Sequence, residues 1–131
     1  MFYVFTHIIT VGDIITVPKR IDMELTEGVI HQVDLLFQDG CNHKAGVQVW
    51  RGDFQLWPSN RGAYAIGNAT VISFREFYEL RSGAKDLYAL VWGDGVITGV
   101  QVIVQIGMLP KELLQPLSFE ALLAAAATGR L

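Results

Sequence analysis

Ile97-Thr98-Gly99-Val100-Gln101-Val102-Ile103-Val104-Gln105-Ile106 is the stretch on which the fold class turns. Val100, Val102, Val104 and Ile106 fall on one side of an extended chain, and Gln101, Ile103 and Gln105 on the other. Side chains alternate across a strand with a period of two, so this is a half-buried strand whose valine face belongs to a core. Upstream, Gly93-Asp94-Gly95 marks a tight turn, of the kind that joins two strands. Before it, Asp86–Trp92 sets Leu87, Ala89 and Val91 against Tyr88, Leu90 and Trp92.

Further out the same period recurs. Phe2–Thr10 is aromatic and β-branched, Ile14–Val17 is a short extended piece stopped by Pro18, and Ile21–Leu25 alternates with Asp22 and Glu24. Val29–Phe37 places Val29, His31, Val33, Leu35 and Phe37 on one face and Ile30, Gln32, Asp34 and Leu36 on the other. Ala45–Trp50, Phe54–Trp57 and Thr70–Phe74 follow, separated by Asp39-Gly40, Arg51-Gly52-Asp53 and Ser59–Gly62. The spacing of Phe74, Phe77 and Tyr78 suits a helical turn while their aromatic content suits a strand; the strand is favoured, through Leu80. Seven or eight short strands with turn signals between them and no intervening helical pattern exclude a parallel βαβ sheet. The expectation is an all-β, antiparallel sandwich of jelly-roll type over residues 1–109.

Beyond Pro110 and Pro116 the pattern changes. Ser118 suits an N-cap, Glu120 the first helical turn and Gly129 the residue after a helix end. This predicts a helix over Phe119–Thr128, with Phe119, Leu122, Leu123 and Ala126 along one stripe. So apolar and short a helix is not stable alone and must dock. Residues 110–131 therefore read as a docking tail.

The composition points the same way. The chain has 131 residues, of which 51% are hydrophobic and only 18% charged, against about 25% charged in ordinary domains. Mean hydropathy is +0.34, which favours burial against neighbours. A net charge of −3 with scattered basic residues offers no field for a phosphate backbone, which argues against nucleic acid. The opening residues lack the basic region of a signal peptide, and no apolar run approaches the ~20 residues of a membrane span. The expected place of synthesis is the cytoplasm, with no membrane partner.

Each chemistry-bearing pattern in the chain has a plainer reading. His7, His31 and His43 lack the i, i+2 or i, i+4 spacing of strand or helix metal ligands, so no metal is expected, although distant histidines are not ruled out. His31, on its strand's apolar face, reads as a hydrogen-bonded core histidine. Cys41 is alone and reads as a small turn residue. No nucleophile elbow is present, and Asp34 and Glu76 have no reason in sequence to pair across a cleft. Arg51-Gly52-Asp53 and Asn68-Ala69-Thr70 spell a cell-adhesion tripeptide and a glycosylation sequon, but turns account for both. No catalytic residue and no cofactor is expected.

Trp50, Trp57 and Trp92 fall on or near the face opposite the core face of their strands. They form either a second side of the core, or an aromatic cap, or a contact surface. Glu27–Phe37, Asp39-Gly40-Cys41, Gly46-Val47-Gln48-Val49 and Phe54–Asn60 together resemble small β-sandwich structural or decoration proteins of tailed-phage virions, over about Ile21 to Leu109. That resemblance implies a non-enzymatic virion subunit, made in the host cytoplasm, that binds itself and a major capsid or other virion protein. The interface candidates are Phe54, Trp57, Phe119, Leu122 and Leu123. The alternative is a carbohydrate-binding sandwich using exposed tryptophans; a small β-barrel enzyme with His31 beside an acid ranks below both.

Overall fold

A computed structural model of the chain describes residues 1–81, 86–95 and 99–110. The expected helix over Phe119–Thr128, most of the tail 110–131, and the candidates Phe119, Leu122 and Leu123 lie outside the described residues, as does the start of the strand expected from Ile97. The elements are β1 (Phe2–Ile8), β2 (Lys19–Asp22), β3 (Gly28–Phe37), β4 (Ala45–Arg51), β5 (Phe54–Trp57), β6 (Ala65–Ile66), β7 (Thr70–Leu80), β8 (Leu87–Gly93) and β9 (Gln101–Leu109). No helix occurs among the described residues.

Two antiparallel sheets carry these strands. One has the order β1-β9-β3-β7, the other β2-β8-β4-β5 with β6 also paired to β4. The valine face of the opening stretch is core: Val102, Val104, Ile106 and Met108 of β9 are buried and meet Val33, Leu35 and Phe37 of β3. Opposite them lie Ala45, Val47 and Val49 of β4 and Leu87, Ala89 and Val91 of β8. Two inward faces meeting in one apolar layer are the arrangement of a β-sandwich.

Some expectations need correcting. The strand placed at Ile21–Leu25 runs over Lys19–Asp22, and Ile14 and Val17 form a single bridge rather than a strand. The aromatic stretch after Phe74 is strand, and β7 is continuous to Leu80. In β3 the simple two-face reading fails at a bulge between Ile30 and Gln32. The bulge puts Ile30 on the core side with Val33, while His31 comes over Gly107 on the outside. His31 is thus half-buried and outside the core, not a core histidine. A residue added to one strand of a pair rephases everything before it, which strict alternation does not foresee.

Candidate functional site

Among the described residues, one concavity lies where the two sheets fail to close on each other. β5 and β7 are both edge strands, and between them opens an apolar cleft of about 320 Å³. Its lining is Leu35, Trp57, Pro58, Ser59, Ala65, Ile72, Phe74 and Glu76. Glu76, itself exposed, is the single charged group on that lining and lies where the pairing of β7 with β3 shifts.

Trp57 forms the wall of this cleft. It is only 6% exposed and belongs to the core cluster. Its ring meets Phe74 edge-on at 5.7 Å and Tyr78 at 5.9 Å. Trp57 therefore packs on the core side, between the two sheets, and not on the face opposite the core where the alternation placed it. The following loop is held by buried Gln55, whose amide donates to the carbonyls of Pro58 and Ala63 and accepts from the Gly62 amide. Phe54, by contrast, is 69% exposed and does not line the cleft. The structure therefore does not join Phe54 and Trp57 in one surface.

The outer face of the β2-β8-β4-β5 sheet carries the other two tryptophans. Trp50 lies nearly parallel to Tyr88, with centroids 6.5 Å apart, and the Arg20 guanidinium sits 3.9 Å from the Tyr88 ring centre. Trp92 is on the outer side as expected, yet buried, because its indole lies over Gly46 and is braced by Tyr64 at 5.1 Å. Arg51 of the Arg-Gly-Asp triplet donates to the Tyr78 hydroxyl at 2.8 Å and pairs with Asp86 at 3.3 Å. The Tyr78 hydrogen bond is the main reason its guanidinium is held above its ordinary pKa. Asn68 accepts from the amides of Gly40 and Asn42, so the sequon asparagine ties two loops together. Asp34 bonds Gln32 and Ser73 on the outer face while Glu76 lies on the cleft lining, which keeps the two carboxylates apart. Cys41 is fully buried, and burial pushes its thiol up, away from the reactive thiolate.

One polar pair had no signal in the sequence. His7 Nε2 lies 2.7 Å from Asp13 Oδ2, and the same oxygen accepts from the Thr10 amide at 2.9 Å and hydroxyl at 3.1 Å. The Asp13 carbonyl accepts from the Gly93 amide, so this knot fastens the segment after β1 to the end of β8. Burial alone raises the Asp13 carboxyl, but its bonds to the Thr10 amide, His7 and the Thr10 hydroxyl bring it below its ordinary value. A depressed carboxylate stabilises the fold above its unfolded pKa and loses that contribution as pH falls through the folded value. Asp13→Asn is expected to cost about 1–3 kcal/mol near neutrality. The difference from wild type should shrink below about pH 4, read by urea unfolding across pH. A cost independent of pH sinks this account.

Among the described residues, no group of three or more His, Cys, Asp or Glu could hold a metal ion. Comparison with family models, curated proteins and solved structures finds no match to this chain.

Proposed function

We propose that this chain is a non-enzymatic structural subunit of a tailed-phage virion, a decoration or minor component of jelly-roll type that self-associates and docks on a shell or neck. It is made in the host cytoplasm and acts in the particle. The observation that carries the reading is the apolar side chains left in solvent on a body that already has a buried apolar core. Phe2, Val4, Ile8, Val11, Val17, Phe54, Val71 and Phe77 are all exposed. Single exposed apolar residues are ordinary, but this many on so small a body suit surfaces covered by neighbours. The strand order supports the jelly-roll reading. Successive strands alternate between the two sheets from β1 to β4 and again from β7 to β9, with β5 and β6 staying in the sheet of β4, so that each sheet mixes early and late strands. Two Greek keys wound together have this form, which is common in viral shell and lectin domains.

A second reading, carbohydrate binding, is favoured by one observation, the near-parallel and half-exposed Trp50–Tyr88 pair. Trp57 is too buried to serve as a stacking platform, so the discriminating substitution is Trp50→Ala. The test of the main reading is co-purification with assembled particles at a fixed copy number. Replacing Phe54, Leu122 and Leu123 by Ser should lower occupancy at least about tenfold, since tenfold needs only about 1.4 kcal/mol and one buried Leu supplies more. A chain that stays wholly outside the particle, yet binds a glycan array in a Trp50-dependent way, hands the function to the second reading.

A further inference from the structure

We infer that β1 is a dimerisation edge, on which a second copy of this chain pairs antiparallel and in one register, joining two four-stranded sheets into one. This rests on the self-association in the reading above and names its surface and register, and it needs no shell.

The described sheets end in five edge strands, and four of them are guarded, β6 by being only two residues long. β7 carries Arg75, Glu76 and Glu79 and lies against a bulge. β2 is short and carries Lys19, Arg20 and Asp22, and β5 is only four residues long. Charges, bulges and brevity are the usual protections of a sheet edge. β1 has none of them. Phe2-Tyr3-Val4-Phe5-Thr6-His7-Ile8 contains no Lys, Arg, Asp, Glu, Pro or Gly, and its seven pairs with β9 run without a break. Phe2, Val4 and Ile8 are exposed along it.

The hydrogen-bond phase says which groups are open. Met1 and Met108 exchange both backbone bonds, the Met1 nitrogen donating at 2.8 Å and the Met108 amide at 2.7 Å. The Ile9 amide donates to Val100 at 2.9 Å. Bonding alternates along an antiparallel strand, so Tyr3, Phe5 and His7 also face β9. Phe2, Val4, Thr6 and Ile8 therefore turn their N–H and C=O groups to the open side.

A second copy satisfies those groups in a self-complementary way. With Phe5 on the two-fold axis, Phe2 stands opposite Ile8 of the second copy, Val4 opposite Thr6, and Tyr3 opposite His7. Each residue with open backbone groups then meets another with open groups, which gives about eight new backbone bonds. Apolar faces apolar in the Phe2–Ile8 pairs, and no two like charges meet, so the register is symmetric in chemistry as well as in backbone phase.

The experiment uses the full chain. Sedimentation velocity across concentration should show a reversible dimer, with dissociation in the micromolar range expected of a small interface. Thr6→Pro removes an amide that β9 does not use and should shift the dissociation constant at least about tenfold. Val4→Lys should do the same without touching the backbone, and circular dichroism shows that each variant keeps its strands. Phe5→Cys should form a disulfide dimer on mild oxidation, since Cα atoms of a non-bonded antiparallel pair sit about 4.5 Å apart, within disulfide range. Phe2→Cys should not, its two copies being about 20 Å apart along the strand. Native Cys41 is buried and stays out of the reaction. A monomer at every concentration, a dimer indifferent to Val4→Lys, or cross-linking through Phe2→Cys in place of Phe5→Cys overturns the pairing. A monomer that still enters particles removes this pairing and the self-association, and leaves the docking on the particle standing. A dimer that enters none removes the virion reading alone.

Discussion

Val104→Asp is expected to abolish folding. Val104 has no exposed surface, and β9 lies between β1 and β3, where it pairs with Phe5 on one side and Leu35 on the other. A carboxylate there has no partner and no water. The cost of leaving a charge unpaired in an apolar layer exceeds about 4 kcal/mol, a large part of what holds a domain this size together. One position earlier, Ile103→Lys should cost no more than about 1 kcal/mol, because residue 103 faces outward and a lysine can lay its stem on the sheet with its amine in water. Ile103 is half-buried beside Thr6 and Leu36, its cross-strand neighbours. Circular dichroism and urea unfolding of the two variants decide the matter. A folded Val104→Asp together with an unfolded Ile103→Lys reverses the two faces of the sheet.

That contrast was legible because β9 alternates without interruption, as do β4 and β8 through their core residues. Where the backbone departs from ideal phase, the sequence misleads. His31 shares parity with Val33 and Leu35, and only the bulge between Ile30 and Gln32 moves it outside. Leu56 and Trp57 are adjacent, yet both are buried, because the pairing of β4 with β5 shifts between Val49 and Trp50. No periodicity marks such a shift. β6 has two residues and no pattern of its own; it exists because Gly46 and Val47 offer it partners. The apolar cleft is a product of two edge strands that sit side by side only in three dimensions. The knot of His7, Thr10 and Asp13 depends on how the chain reverses after β1, and no spacing in the sequence names its partners.

The second large effect concerns a glycine. Gly46→Ala is expected to destabilise the chain by about 2–3 kcal/mol, more than an alanine in a strand usually costs. A Cβ on Gly46 would come within 2.4 Å of Cε2 and Cζ2 of Trp92, its cross-strand neighbour. The indole is rigid, 4% exposed and braced edge-on by Tyr64, so it can yield only by leaving its place. Trp92→Ala alone should cost about 3 kcal/mol, from the buried area and contacts it removes. The two losses should not add, because the alanine at 46 is harmful only through the ring above it. In the Trp92→Ala background, Gly46→Ala should become stabilising by about 0.5–1 kcal/mol, as an alanine loses less freedom than a glycine when fixed in a strand. A double-mutant cycle by urea unfolding then reads a coupling of about 3 kcal/mol. Strict additivity would mean that the strand itself, and not the tryptophan lying over it, demands the glycine.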